Sequence, residues 1–486
     1  MNRPKIVMAA SRGGSGKTLL TIGVIAAWSD EGRRISPFKK GPDYIDAGWL
    51  AMAAGRPCYN LDTFLIDSEQ VLTSFLNHSQ DSDIAVVEGN RGLYDGFDFR
   101  GSTSTAELAK LIEAPVVLII NSTKTTRTMA AVVSGCIQFD ADVRLEGVIL
   151  NRVAGLRHET ILRKSIEHYC GIPVVGAVPK LSQQNFPERH MGLIPTPEHA
   201  WAKTSIQEAS KLAKKYLDLD ALKQIAGLKL TVPASKGKKS RIASDKNAVN
   251  VTLLAEKTFS AELKSTLKIG IIRDSAFQFY YPENIDTLRA PGVDICFISP
   301  LHQNAIPDVD ALYIGGGFPE THAEALADNV AFKHDLKAQV EAGLPIYAEC
   351  GGLMYLGDEL VLDDTVYPMA GVLPVAFGLA KRPQGHGYTI IKVESENPFF
   401  KVGLEIRGHE FHYSKVLRWD GNDKDLVFCM KRGTGFLNNR DGIRYKNVLA
   451  TYTHIHALGT PSWAIAMIRN AASHQRRKAG RTTGNR

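Results

Sequence analysis

Hydrophobic positions in the first half of the chain come in short unbroken runs rather than in alternation. "KIVMAA" (5–10), "DIAVVEG" (83–89), "APVVLII" (114–120), "EGVILNRV" (146–153) and "IPVVGAVP" (172–179) each read as a strand with both faces covered. Segments such as "TLLTIGVIAAWSDEG" (18–32) read as helices between them. Strands that are apolar throughout, separated by helices, predict a parallel sheet with helices on both sides.

The pattern breaks near Lys229. A Lys/Ser/Ala-rich stretch follows, and a second series then begins with "LKIGIIRD", "VDICFISP", "ALYIGGG" and "LPIYAEC". "HAEALADNVAFKHDLKAQVEAG" (322–343) reads as helix, and "YPMAGVLPVAFG", "GYTIIKVESE" and "EIRGHEFHYSKV" read as further strands. The expected organisation is an α/β domain over 1–228, a linker over 229–266, a second α/β domain over 267–472 and a disordered basic tail over 473–486.

The chain has 486 residues and a formal charge of +7. That excess sits in two places. Residues 234–248 carry +4 and residues 473–486 carry +5, which leaves about −2 for the remainder. A basic nucleic-acid-binding face is therefore not expected. No apolar run approaches the roughly 18 residues a spanning helix needs. The start runs directly into a motif without the apolar stretch of a secretion signal. The reading is a cytoplasmic protein without a membrane segment. The six cysteines lack metal-knuckle spacing and read mostly as small buried hydrophobes.

Two stretches carry chemistry. "SRGGSGKT" (11–18) follows the first strand and opens the first helix, the context of a phosphate-binding loop. Gly13, Gly14, Ser15 and Gly16 would turn backbone N–H groups toward a phosphate. Lys17 would add charge, and the Thr18 hydroxyl would hold Mg²⁺. Ser11 stands where the usual first glycine would be. Glu88, at the end of a strand, and Asp43, in a Gly-Pro turn, are the acids expected to complete the metal site with Thr18.

In "LPIYAECGGLMYL" a strand ends, Cys350 takes a sharp turn and a glycine pair begins a helix. This is the geometry of a nucleophile elbow, with the Gly351 N–H facing a developing oxyanion and the helix start lowering the thiol pKa. The glycine loop "IGGGFPE", through Gly316 and Gly317, would supply another N–H. "LATYTHIHALG" offers His454 as base, with His456 two residues on.

This constellation resembles class I glutamine amidotransferases. Joined to "KKGPDYID", "EGNRGLYDG", "GVILNRV" and "PERHMGL", the motifs "RDSAFQFYYPEN", "GHEFHYS" and "YTHIHAL" resemble the cobyrinate a,c-diamide synthase family over nearly the whole chain. The resemblance implies a dethiobiotin synthetase-like P-loop amidoligase domain followed by an amidotransferase domain. It implies ATP with Mg²⁺, L-glutamine and a tetrapyrrole (corrin) carboxylate as ligands, and a homodimer as candidate assembly. Asp43, Tyr44, Glu88 and Asp95 would line the ATP and substrate site. Cobyrinate, hydrogenobyrinate and nickel-sirohydrochlorin all remain open as the substrate. A regulatory P-loop ATPase with an inert second domain is the competing class. Three departures stand out: His456 where many triad enzymes have glutamate, Asn90 and Arg91 in the second loop, and "KRPQGHGYTI" later in the chain.

Overall fold

The computed structural model describes residues 3–180, 201–228 and 266–483, with a short strand pair, β8 (Glu188–Arg189) and β9 (Gly192–Leu193), between the first two. The expected linker, but for Thr266, and residues 187, 190 and 191 of "PERHMGL" lie outside the described residues. The chain divides into two compact units, Met1–Ala243 and Ser244–Arg486.

In the first unit the apolar runs become strands β1 (Lys5–Ala10), β4 (Ile84–Glu88), β5 (Val116–Asn121), β6 (Leu145–Val153) and β7 (Val174–Pro179). Two strands were not anticipated: β2 (Ile35–Lys40) and β3 (Tyr59–Leu61). All seven pair in parallel in the order β3-β2-β4-β1-β5-β6-β7. Helices α1 (Lys17–Asp30), α2 (Ile45–Ala54), α3 (Ser68–His78), α4 (Thr105–Leu111), α5 (Thr128–Phe139) and α6 (Leu156–Cys170) alternate with them, and α7 (Ala202–Tyr216) and α8 (Leu219–Ile225) close the unit. Helix α1 is buried from Leu20 to Trp28. The register sets Met8 of β1 beside Glu88 of β4, so the P-loop and that carboxylate leave the sheet side by side.

The second unit contains β10 (Lys268–Ile272), β11 (Phe277–Phe279), β12 (Asp294–Ile298), β13 (Ala311–Ile314), β14 (Gly316–Gly317), β15 (Ile346–Glu349), β16 (Glu359–Leu362), β17 (Thr365–Pro368), β18 (Val375–Leu379), β19 (Gly385–Val393), β20 (Glu405–His412), β21 (Ser414–Trp419), β22 (Leu426–Arg432), β23 (Arg440–Tyr445), β24 (Val448–Thr451) and β25 (His454–Ile455). Ten form one mixed sheet, β12-β10-β13-β15-β24-β23-β22-β19-β20-β25, parallel from β12 to β24 and antiparallel beyond. Strands β11 and β14 pair separately, and β16–β18 with β21 make a small four-stranded sheet.

The tail departs from expectation. One helix runs from Pro461 to Thr483, through most of the segment read as disordered. Its apolar side, including Trp463, Met467 and Ala471, is fully buried. The polar end is docked too: His474 is buried, Gln475 Nε2 donates to Asp310 Oδ2 at 3.1 Å, and Lys478 pairs with Asp308. No helix among the described residues is long and apolar enough to cross a membrane.

Candidate functional site

In the first unit the glycine-rich turn closes on itself. Ser15 Oγ donates to the Arg12 carbonyl at 2.9 Å, and Asn151 Nδ2 of β6 donates to the Ser15 carbonyl at 2.8 Å. Gly16 has φ 85°, and a Cβ there would lie 2.2 Å from Asn151 Nδ2. Backbone conformation and close approach both require glycine at that position. Gly14 is also left-handed, at φ 72°. Ser11 is absent from the residues with positive φ, so its replacement of glycine carries no backbone strain.

Beyond the loop, charged groups converge. Thr18 Oγ1 lies 2.7 Å from Glu88 Oε1 and 3.2 Å from Asp46 Oδ2. Lys17 Nζ is 3.3 Å from Glu88 Oε1. Lys39 Nζ, buried at the end of β2, sits 2.6 Å from Asp46 Oδ2 and 3.1 Å from Glu88 Oε1. Burial works against the Lys39 ammonium, but Asp46 and Glu88 outweigh it and raise its pKa. Burial likewise works against an ionised Asp46; Lys39 and Lys17 prevail and hold that carboxyl below its usual range. Glu88 Oε2 is buried with no hydrogen-bond partner among the described residues. A hydroxyl, two carboxylates and an orphaned carboxylate oxygen beside a phosphate cradle fit a Mg²⁺–nucleotide complex.

Asp43 lies just outside this contact set. Its Oδ1 accepts the Asp46 N–H at 2.8 Å, fixing the first turn of α2, and burial followed by the adjacent Asp46 pushes its carboxyl up to about 6. Tyr44 stands at the start of α2 and is half-buried. Asp95 is exposed, and its Oδ2 accepts the Gly92 N–H at 2.8 Å, closing the turn that follows β4. The structure thus brings Lys17, Thr18 and Glu88 together as the sequence implies. Lys39 and Asp46 join them, and sequence reasoning had not singled out either.

In the second unit β15 ends at Glu349, and Cys350 turns at φ 48°, ψ −100° into the helix Gly351–Leu356. A non-glycine residue held there stores about 1–3 kcal/mol of strain. The Cys350 N–H donates to Thr451 O of β24 at 2.8 Å, which anchors the elbow. A Cβ on Gly351 would come within 3.0 Å of Gly317 N, so the turn after the thiol abuts the glycine loop. A Cβ on Gly316 would strike His454 Cε1 at 2.5 Å. The turn after Cys350, the Gly316–Gly317 loop and His454 are therefore contiguous. The thiol is buried, and its pKa is raised rather than lowered, first by burial and then by Glu320. A helix start of six residues does not offset that environment.

His454, on β25, is held from two sides. Its ring stacks on His409 with centroids 4.9 Å apart, and its Nδ1 lies 3.4 Å from Glu349 Oε2. Asp441 fixes the approach to β25: it accepts from Thr451 Oγ1 (2.6 Å), Tyr452 N (3.0 Å), Thr453 N (3.1 Å) and Thr453 Oγ1 (3.2 Å).

Residues 6–194 match the CobQ/CobB/MinD/ParA nucleotide binding domain, and residues 268–462 match the CobB/CobQ-like glutamine amidotransferase domain. A cobyrinate a,c-diamide synthase of Magnetococcus marinus is 41% identical over 95% of this chain and 96% of its own. The chain belongs to the cobyrinate a,c-diamide synthase family. Further synthases of this name from Archaeoglobus fulgidus (36% identical, 97% of this chain, 98% of its own) and Methanobrevibacter smithii (38%, 94% and 97%) span the same length. As a member of the cobyrinate a,c-diamide synthase family the chain is a glutamine-dependent amide ligase, α/β in both units.

Proposed function

We propose that the chain amidates the a- and c-acetate carboxylates of cobyrinate, using ATP with Mg²⁺ and ammonia released from L-glutamine. The observation that carries this reading is the presence, in one chain, of a P-loop beside Lys39, Asp46 and Glu88 and of an elbow at Cys350 beside the Gly316–Gly317 loop and His454. An inert second domain would not retain the buried thiol, the glycine loop and the histidine side by side.

In the second unit His454 takes the Cys350 proton. The sulfur attacks the glutamine carboxamide, and the N–H groups of Gly351 and the Gly316–Gly317 loop stabilise the oxyanion. Ammonia leaves, and water hydrolyses the thioester to glutamate. In the first unit Thr18, Asp46 and Glu88 would hold Mg²⁺, which would supply charge neutralisation for the nucleotide's phosphates. Lys17 and Lys39 position the phosphates as the acetate oxygen takes the γ-phosphoryl group and ADP leaves; ammonia then attacks the carbonyl carbon of this acyl phosphate and inorganic phosphate departs. Tyr44, Asp43 and the Asp95 turn border the substrate side.

The substrate's many carboxylates find cations at the right place. Arg12, Arg91, Lys124 and Arg152 follow or end β1, β4, β5 and β6, four neighbouring strands, and all are exposed. Arg91, Lys124 and Arg152 each have positive φ, between 50° and 60°. Strained residues at strand ends are typical of ligand sites.

The test is product analysis with cobyrinate, hydrogenobyrinate and nickel-sirohydrochlorin, comparing glutamine with ammonium as nitrogen source. Cobyrinate a,c-diamide is the expected product. Cys350→Ala should lose glutamate release by at least about 10³-fold and keep ammonium-dependent amidation at alkaline pH. No diamide from any tetrapyrrole, or undiminished glutamate release by Cys350→Ala, would overturn the reading.

A further inference from the structure

Many triad amidotransferases carry the acid that orients the catalytic histidine two residues after it, and here that position holds His456. His456 is turned to another task. The Leu458 N–H donates to its Nδ1 at 3.2 Å, so its proton resides on Nε2, which lies 3.5 Å from Glu283 Oε2. The ring also packs on Tyr281, with centroids 4.7 Å apart.

The carboxylate against His454 comes from the opposite direction in the chain. Glu349, the residue immediately before Cys350, is fully buried. Its Oε2 accepts from Tyr313 OH at 3.0 Å and faces His454 Nδ1 at 3.4 Å; its Oε1 accepts the Ile455 N–H at 3.1 Å. A carboxylate only accepts, so the His454 proton sits on Nδ1 and Nε2 is left as the basic nitrogen. A carboxylate with no water around it is costly unless its oxygens are met by donors. Here one donor is the backbone of the histidine's own neighbour. Glu349 therefore fixes both the ring of His454 and the strand that carries it.

We propose that Glu349 is the positioning residue of the glutaminase site, replacing the acid usually found after the histidine. Acid and nucleophile are adjacent residues at one strand end, and the base is brought to both. During turnover the Cys350 proton passes to His454 Nε2, and Glu349 stabilises the resulting imidazolium without itself taking a proton. The proposal rests on the reading of Cys350 as nucleophile and His454 as base.

The test is a double-mutant cycle on the full chain, with glutamate release as readout and ammonium-dependent amidation and thermal unfolding as controls. Glu349→Gln should lower glutaminase kcat by about 10²-fold or more, leave KM for glutamine within about threefold and leave ammonium-dependent amidation intact. Because Glu349 acts through His454, the same substitution placed on His454→Ala should cost nothing further. A merely structural carboxylate would give losses that multiply, and that result overturns the proposal. So does a Glu349→Gln enzyme with more than a third of the parent kcat. If Glu349→Gln does not fold, Glu349→Asp is taken through the same cycle and judged by the same non-additivity. Parent-level glutaminase in His454→Ala would instead strike the base assignment itself.

Discussion

Lys39 illustrates what a single buried charge decides. Its ammonium lies between Asp46 and Glu88, where three charged groups share one small volume beside the P-loop. Removing one partner of a buried pair leaves an uncompensated charge and costs about 3–5 kcal/mol. Lys39→Met is therefore expected to lower the melting midpoint of the first unit. Amide formation with either nitrogen source should fall by at least about 10²-fold, while glutamate release stays within about twofold of the parent. Equal loss of both activities, measured in parallel, would count against a role confined to the first unit. The sequence hid this residue for a physical reason. "ISPFKK" contains a proline and two lysines, so its pattern reads as a surface turn; yet all six positions of β2 are buried. Periodicity assumes that charges seek water, and it fails where they neutralise one another inside. Asp46 was closer to view, three residues after Asp43 in "DYID". One helical turn separates them, and α2 gives the contact with Thr18 and Lys39 to the second acid.

At the scale of elements, the strands that read as continuous apolar runs all formed, because burial on both faces leaves no competing interpretation. Helix limits depend on local capping as well as on periodicity. The stretch 322–343 reads as one helix but breaks at Asn329, whose side chain accepts from Phe332 N at 3.2 Å while donating to Pro300 O and Gln303 O. A residue that caps the helix after it and also satisfies two carbonyls of another segment is worth more as a cap than as a helical link. The C-terminal helix teaches the opposite lesson. Its last turns look like a solvated basic tail, yet His474 is buried and Gln475 and Lys478 are tied to Asp308 and Asp310. Deleting Ser473–Arg486 is thus expected to lower the unfolding temperature of the second unit, by roughly 2–4 °C per kcal/mol lost. Calorimetry of the truncated chain checks this, and an unchanged transition would contradict it. Burial, followed by the nearby Lys478, holds the His474 imidazole below its ordinary value. A histidine kept neutral in the fold costs stability once the unfolded chain protonates, so stability should decline as pH falls below about 6.5. His474→Gln should flatten that part of the pH–stability profile.

For the whole molecule, the placement of charge is more specific than its total. The +7 total describes the linker and tail, whereas the cations of interest for a polycarboxylate stand singly at four adjacent strand ends. If Arg12, Arg91, Lys124 and Arg152 receive the substrate's carboxylates, KM for cobyrinate should rise with ionic strength, while KM for glutamine should not. Arg91→Gln with Lys124→Gln should raise KM for cobyrinate by about tenfold, the effect of roughly 1.4 kcal/mol, and weaken its salt dependence. An unchanged KM would remove these residues from the substrate surface. The thiol pocket was legible because its glycines, cysteine and histidine are each locally unusual; its acid was not, because a glutamate ending a strand looks like any other. One further consequence lies in the order of events during folding. The elbow is closed by a hydrogen bond from Cys350 to Thr451, residues about a hundred positions apart, and contacts of such separation form late. Asp441, by contrast, ties down Thr451 to Thr453 from only about ten positions away, and the hairpin of β23 and β24 that carries it can form early. The base-bearing segment is thus held by neighbours close in sequence, whereas the thiol elbow depends on a strand about a hundred residues away.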